Sequence, residues 1–515
     1  MDDRLVIDRI YSGLLSKASS PDYDFGSLRG RWGFRNSDEY RERTLKMQKN
    51  VRRLGKEAPI MYRDGNYWLF NGRIYISIRE ELIIAAFELL VEFYEIIAAF
   101  NSKIYAHTFV DTIRYYNPMC ESRNLIAFTN GVLDVSPILR GQEPVFHDHF
   151  DERFHVTYYH PYPYDKDAKC TRWLNFLHEV LPDKNARLIL QMFLGLGVID
   201  SAEVYNPYEG KDSSKVELCL ILIGSGANGK SVIYQTARGV FGKERISGID
   251  YDELTSPGDE GMRARRLLRN ALFNWSSDSD SRTFGRKRTG VFKRIVSGEP
   301  VTDRKIGEDV RENDNMPYLV FNLNELPYPD DQSLGFIRRL QFISFDVTIP
   351  KERQNKALAQ ELQSVYPGIF NWIVRGAREL IRRKFIFPSS EGNRRQMILA
   401  QLQSNPVVAW INAYQMRWEP LAKNETSVYI PTAVMMKSLD QFCEDNGVDC
   451  VSRQKFGQTM ARIGNGFYKR RFPEGFRYQV FGCTEERLSR SFFISKENMN
   501  VDYVHERGTF VNEDD

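Results

Sequence analysis

Residues Gly224-Ser225-Gly226-Ala227-Asn228-Gly229-Lys230-Ser231 fit the spacing G-x-x-x-x-G-K-[ST] with no position missing. That spacing suits phosphate chemistry. The glycines let backbone N–H groups close around phosphate oxygens. Lys230 would reach the β- and γ-phosphates, and the Ser231 hydroxyl would ligate Mg²⁺. Val232, the next residue, completes the expected contact set. The apolar run 216–223 reads as a buried strand leading into the loop. Lys230 to Phe241 reads as a helix leading out, stopped by Gly242. A helix N-terminus at that point adds a favourable dipole for an anion. An ordinary glycine turn ahead of a helix is the plainer alternative. The strand–loop–helix context favours a nucleotide site for ATP and Mg²⁺.

Hydrolysis needs further groups, and candidates follow in order. The short apolar strand 271–276 ends in Ser277 and Asp278. Asp278 would hold Mg²⁺ through water and polarise the attacking water. Asp280 is a rival, and a surface acid in a Ser/Asp loop is the bland alternative. A second strand, 316–323, runs into Asn324-Glu325-Leu326-Pro327. An amide at a strand tip beside the phosphate loop can orient water or sense the γ-phosphate. Asn324 is the choice and Asn322 the alternative; both also suit simple turns. Arg338 and Arg339 precede a third strand, 341–345. One would reach a neighbouring subunit's γ-phosphate, and the other would hold the interface or sense nucleotide in cis. Between acid and amide, Lys293 and Ser297-Gly298-Glu299-Pro300 lead to Arg304 and Lys305. This reads as a hairpin with a basic tip, suited to tracking nucleic-acid phosphates.

A chain of 515 residues is too long for one core and suggests about three domains. The net charge of +3 is too small to prove a nucleic-acid partner, so charge distribution matters more. From Arg29 to Lys56 there are ten Lys or Arg against three acids, with Trp32 and Phe34 interleaved. The run suits phosphate contacts with base stacking, or equally a solvated helix face. Residues 62–75 and 126–135 read as hairpins around Asp-Gly and Asn-Gly pairs. The apolar run Leu82 to Phe100 carries Glu88, Glu92 and Glu95 on the face of Glu81. It predicts an amphipathic helix rather than a membrane span. Residues 206–215 look like a loop, and Phe387 to Gly392 like a linker. The six cysteines form no C-x-x-C pair, so neither a zinc site nor a disulfide framework is indicated. A reducing, cytoplasmic setting in a bacterial or phage-infected cell fits. His147-Asp148-His149 and Asp165-Lys166-Asp167 lack the strand context of a two-metal site and read as loops.

Together these motifs resemble the superfamily 3 helicases of the poxvirus-type and phage or plasmid primase–helicase group. The resemblance rests on Tyr67-Trp68, on Phe128-Thr129-Asn130-Gly131-Val132-Leu133-Asp134, and on Tyr162-Pro163-Tyr164-Asp165. It rests further on the glycine loop, Lys293 with Ser297 to Val301 and Arg304, the Asn324 box, and Arg338-Arg339. It implies an α/β fold with an AAA+ P-loop ATPase core. An N-terminal α/β DNA-handling or loading region would span 1–165, a helical collar 166–205, the ATPase 206–385 and a winged-helix domain 386–515. In the last, a helix over Met435–Glu444, a second over Arg453–Ile463 and a hairpin turning at Pro473-Glu474-Gly475 are expected. Lys469, Arg470 and Arg471 would contact DNA there, or the module would dock a protein. The implied activity is ATP-dependent unwinding by a homo-hexameric ring on single-stranded and forked DNA, in replication of a phage, plasmid or mobile element. A nucleotide-gated DNA-binding or defence ATPase that does not unwind is the alternative. The chain has little room for a primase, so a separate primase or origin-binding protein is an expected partner. The family usually carries Glu where Asp278 stands.

Overall fold

The computed structural model describes residues 2–32, 37–98, 102–119, 124–199, 216–280, 284–285, 288–304, 309–314, 316–325, 334–421, 424–463 and 466–490. The loop expected at 206–215, Phe34 and Lys305 lie outside these residues. The chain divides into two compact units, Met1–Ser136 with Pro144–Tyr164, and Pro137–Glu143 with Asp165–Asp515.

In the first unit, α1 (Asp3–Ala18) starts where the Asp2 carboxylate accepts from the Arg4 N–H. β1 (Gly30–Trp32), α2 (Ser37–Glu57) and a meander of β2 (Ile60–Arg63), β3 (Asn66–Phe70) and β4 (Tyr75–Ile78) follow. Next come α3 (Glu80–Phe93), β5 (Ile96–Ala98) and α4 (Ser102–Tyr116). The helices bury Ile10, Leu14, Val51, Leu54, Phe87 and Phe109 in one core. The helix expected over Leu82 to Phe100 is shorter than its apolar content suggested. It ends at Phe93, the chain turns at Glu95 with φ +51°, and Ile96–Ala98 pairs in parallel with β1. Glu95 therefore leaves the acidic helix face and pairs with Arg29 at 2.7 Å. β-Branched residues with a strand partner in reach overrode helical periodicity.

A small sheet closes this unit: β6 (Leu125–Phe128), β7 (Gly131–Asp134) and β8 (Val145–His147). The Asn130 amide donates to Tyr164 O at 3.0 Å and accepts from Tyr164 N at 2.8 Å. This pins the turn expected at Asn130-Gly131. Among the described residues no cluster of His, Cys, Asp or Glu could hold a metal ion, His147 and His149 included. No helix among them is long and apolar enough to cross a membrane.

The second unit begins with α5 (Thr171–Val180) and α6 (Lys184–Gly195), separated by Leu181-Pro182-Asp183. Its centre is a five-stranded parallel sheet in the order β10-β11-β14-β9-β15. Through the sheet the chain runs β9 (Cys219–Ile223), α7 (Lys230–Phe241), β10 (Ile246–Ser247), α8 (Tyr251–Thr255), α9 (Gly258–Arg266) and β11 (Phe273–Ser276). α10 (Thr289–Ser297) and the antiparallel pair β12 (Val301–Asp303) and β13 (Arg311–Asn313) come next. β14 (Tyr318–Leu323), α11 (Leu334–Ile337) and β15 (Leu340–Ser344) complete it. β9 and β14 are buried at every position, as strands covered on both faces must be.

After α12 (Leu358–Glu361), α13 (Tyr366–Arg382) packs along α6. The Gln191 amide donates to Trp372 O at 2.7 Å, and Trp173 meets Trp372 edge to face. The helices expected as a collar thus lie against the sheet's own helical layer. α14 (Glu391–Ser404) follows the segment expected as a linker. Asn393 there accepts from the Phe342 N–H at 2.9 Å, and Arg395 pairs with Asp346 at 2.6 Å. The region after 386 therefore begins by covering the edge strand β15 rather than as a free connector.

Beyond it, α15 (Pro406–Ala413), β16 (Val428–Pro431), α16 (Thr432–Asp445), α17 (Arg453–Arg462), β17 (Lys469–Phe472) and β18 (Gly475–Val480) share one core around Trp410, Leu439, Phe456 and Tyr478. The strands form an antiparallel sheet in the order β16-β18-β17. The two helices and the hairpin stand within three residues of their expected bounds.

Candidate nucleotide site

In an open parallel sheet the polar groups that meet ligands gather at the carboxyl ends of the strands. Strand register decides which residues those are. Ile223 of β9 pairs with Leu323 of β14 and with Ser344 of β15. The glycine loop therefore leaves the sheet beside Asn324. Ser276 of β11 pairs with Phe321 of β14, which sets the following Asp278 at the same end. β14 lies between the strand carrying the loop and the strand carrying the acid. Lys230, Asn324 and Asp278, chosen from sequence, are brought to one end of the sheet.

The loop itself is tightly held. A Cβ on Gly224 would come within 2.4 Å of Asn228 Nδ2 and 2.7 Å of Phe345 O. Gly229 has φ +88°, and a Cβ there would meet Phe176 and Val180 of α5 at about 3 Å. Both positions exclude a side chain. Ala227 O accepts from the Ile349 N–H at 2.8 Å, so the chain after β15 braces the loop. Asn228 is 3% exposed, and its Nδ2 has no partner among the described residues. A buried donor with no acceptor is costly and points to a ligand acceptor at this loop. Lys230 is 6% exposed, and its ammonium donates to Gly224 O. Burial holds its pKa below the ordinary lysine value, and the nearby Asp278 carboxylate opposes that shift. A buried cation facing an acid, with Ser231 exposed on the first helical turn, is a donor set that fits a nucleotide phosphate with Mg²⁺.

The two asparagines at the end of β14 separate. Asn322 is 3% exposed. Its Oδ1 accepts from Trp275 Nε1 at 3.0 Å, and its amide donates to Ser277 O at 3.2 Å. It ties β14 to the acid loop and is not available to a ligand. Asn324 is exposed at the strand tip. Asn274 is likewise spent. It accepts from Ser247 Oγ and Ile249 N, each at 2.9 Å, and donates to Ile249 O at 2.9 Å.

One acid escaped the sequence reading. Asp250, three residues after β10 and immediately ahead of α8, accepts from the Ser276 and Ser279 hydroxyls, the latter at 3.3 Å. These serines bracket Asp278, so Asp250 holds the acid loop from the next strand. β10 has two residues, too few for a periodic signal.

Arg338 and Arg339 stand at the opposite end of the sheet. Leu340 pairs with Cys219, the first residue of β9. A five-residue strand, about 17 Å, separates them from the glycine loop of the same chain. Both therefore stand a strand's length from their own glycine loop, a geometry that does not favour sensing in cis. Both pair with Glu217, at 3.5 Å for Arg338 and 3.0 Å for Arg339. Arg339 also donates to Ser297 Oγ at 2.9 Å and to Gly335 O, and its side chain is 12% exposed against 35% for Arg338.

The expected hairpin is β12–β13, and its first strand is anchored by the buried Arg265 and the part-buried Arg269. Arg269 makes a two-pronged bond to Asp303, at 2.6 and 2.9 Å, and that carboxylate is 1% exposed. Arg265 donates to Thr302 O, Leu254 O and Ser256 O, each at 3.0 Å. At the tip, Arg304 pairs with Asp259 at 3.0 Å, so this cation is partly neutralised. Lys293 is half-buried on α10. Arg269→Ala would strand the buried Asp303 carboxylate and is expected to cost about 3 kcal/mol of stability. Denaturant titration of the variant measures it.

On the C-terminal hairpin, Lys469, Arg470 and Arg471 are all exposed. Register divides them. Lys469 lies 4.5 Å and Arg471 6.0 Å from the Phe476 ring on one face. Arg470 lies 5.7 Å and Arg477 5.1 Å from the Phe472 ring on the other. Each face carries cations held over an aromatic ring.

Residues 48–182 match the family described as D5 N terminal like, and residues 222–339 match a family of unknown function, DUF5906. The protein "Putative helicase 184R" of Invertebrate iridescent virus 6 is 25% identical over 274 residues, 47% of this chain and 25% of that protein. The chain thus spans about a quarter of that relative's length. Among solved structures, the apo C-terminal region of NrS-1 aligns at 12% identity with a TM-score of 0.40, covering 81% of this chain and 94% of that one. A second apo structure of that region, residues 305–718, gives 0.38 at 11% identity over 82% and 96%.

Proposed function

From a chain that carries a D5 N-terminal-like domain and is of the viral and phage primase–helicase type of superfamily 3, we propose an ATP-driven DNA helicase that works as a ring. The AAA+ reading of the sheet, the winged-helix reading of the C-terminal core and the homo-hexamer belong to this proposal. One observation carries it. Lys230, Asn324 and Asp278 share the carboxyl end of the sheet's strands, whereas Arg338 and Arg339 stand at the opposite end. A site of this kind is incomplete in one subunit and is completed by an arginine from the next.

Gly224 to Val232 would bind ATP, with Lys230 on its terminal phosphates. Ser231 and Asp278 would hold Mg²⁺, which supplies charge neutralisation on the phosphates. Asp278 and Asn324 orient the attacking water, and Arg338 of the neighbour stabilises the transferring phosphoryl group. Motion of the β12–β13 hairpin, anchored through Arg265 and Arg269, would move single-stranded DNA past Lys293, Arg304 and Lys305. The C-terminal hairpin would engage the fork through Lys469, Arg470 and Arg471. A separate primase or origin-binding protein remains the expected partner, in the cytoplasm of an infected or element-bearing cell.

Specific ATPase activity should rise with protein concentration as subunits assemble. Activity per subunit that stays constant down to the monomeric range would sink the shared site. Asp278→Asn is expected to slow hydrolysis at least about a hundredfold while ATP still binds. Asp250→Ala should slow it roughly tenfold through a misplaced acid loop, again with nucleotide affinity kept. Equal loss of affinity in either variant would move these acids from hydrolysis to binding. Asp in place of Glu at 278 favours a second reading, a nucleotide-gated DNA-binding ATPase that does not unwind.

A further inference from the structure

The cations of α2 fall into two sets. Arg43, Lys46 and Arg53 are paired with Glu39, Glu42 and Glu57 one turn away, and Lys46 and Arg53 also with Asp24 and Asp22. Arg41, Lys49, Arg52 and Lys56 are exposed, and their side chains make no ion pair or hydrogen bond among the described residues. At 3.6 residues per turn these four share about 80° of the helix circumference. They form a stripe about 22 Å long. Asp38, an acid on the same face, stands at the N-terminal end, so positive charge is concentrated toward the C-terminal end.

That end meets two exposed aromatic rings. The Asn117 amide following α4 donates to Gly55 O at 3.1 Å, which sets the last turn of α4 beside the last turn of α2. Tyr115 is 79% and Tyr116 51% exposed, their rings edge to face at 4.9 Å. The Lys56 ammonium sits 4.1 Å above the Tyr116 ring. Large rings left in water at the end of an unneutralised cation stripe have no folding rationale in this unit.

We propose that this face of the first unit binds single-stranded DNA, with Arg41, Lys49, Arg52 and Lys56 on successive phosphates and Tyr115 and Tyr116 stacking unpaired bases. Charge complementarity selects a polyanion. The rings select unpaired bases, since duplex bases are already stacked. The stripe is long enough for roughly four nucleotides, the lower end of single-strand site sizes. The proposal rests on the reading of this chain as a DNA-translocating enzyme, and it gives the first unit a strand-holding site separate from the ATPase sheet's own residues.

The test is fluorescence anisotropy of a labelled oligo(dT) 20-mer with the full chain, without nucleotide. It is made in a Lys469→Ala, Arg470→Ala, Arg471→Ala background so that the C-terminal hairpin adds little. Lys49→Ala with Arg52→Ala and Lys56→Ala should weaken binding at least about tenfold and lower the slope of log affinity against log salt by about 2. Tyr115→Ala with Tyr116→Ala should weaken it about tenfold with the slope unchanged. Arg43→Ala with Lys46→Ala, on the neutralised flank, should change neither. Melting temperatures report whether each variant is folded. Unchanged affinity and slope in the folded triple variant overturn the proposal. So does an equal loss for a 20-base-pair duplex with the tyrosine pair silent. No nucleotide is present, so failure of the ATPase or of unwinding would count against the helicase reading and leave this result standing.

Discussion

Lys230→Ala is expected to lose ATP hydrolysis by roughly a hundred- to a thousandfold, the usual cost of removing one preorganised group from a developing phosphate charge. The structure adds a second expected signature. The ammonium is buried, and burial depresses its pKa. A lysine with a depressed folded pKa binds its proton less tightly folded than unfolded, so below that pKa its charge opposes folding. Lys230→Met, which keeps the stem and removes the charge, should therefore melt no lower than wild type without ligand. With ATP in hundredfold excess over the wild-type Kd, the wild type should gain about 2.7 kcal/mol of stability and the variant almost none. A variant that melts lower without ligand would make Lys230 a structural residue. One that keeps the nucleotide-dependent gain would remove it from the phosphate site.

Arg338→Ala and Arg339→Ala should fail in different ways. Arg338 is the more exposed of the two and lies at the end of the sheet remote from its own loop. Its loss should cost about a thousandfold in kcat, the scale of an arginine supplied in trans, with ATP binding and melting temperature little changed. Mixing decides the geometry. Lys230→Ala subunits keep the arginine and lack a working loop, and Arg338→Ala subunits keep the loop and lack the arginine. Equal parts should recover up to about a quarter of wild-type interfaces, and hence activity that neither variant has alone. No recovery, with assembly intact, would place Arg338 outside the neighbour's site. Arg339 is bonded to Ser297, Gly335 and Glu217 within its own chain. Arg339→Ala should instead lower stability by about 1–3 kcal/mol through the partners it leaves unpaired.

The parts of this site that depend on a local pattern were legible before the fold was known. The helix after the glycine loop runs from Lys230 to Phe241, as its capping glycine indicated. The Pro473-Glu474-Gly475 hairpin turns where its residues require. Long-range facts were not legible. Strand order places β14 between loop and acid, and no local signal in either strand carries that. Parallel register sets both arginines at the end of the sheet away from their own glycine loop, which a spacing of about 110 residues in sequence does not reveal. Asp250 was missed because the β10 strand segment before it is two residues long. The linker at 387–392 has the right composition for a connector, yet Gly392 and Asn393 pack on β15. Helical periodicity through Glu95 was real, but a strand partner at Gly30–Trp32 ended the helix first.

Under the proposed function, hydrolysis at an intersubunit site moves DNA strands apart. A single-turnover strand-displacement assay on a forked DNA, with protein saturating the fork, tests it most directly. Displaced strand is expected with ATP and Mg²⁺, none with a non-hydrolysable analogue, and none from Lys230→Ala. DNA-stimulated hydrolysis by the assembled protein without any displaced strand would contradict it and favour an ATPase that binds DNA without unwinding it.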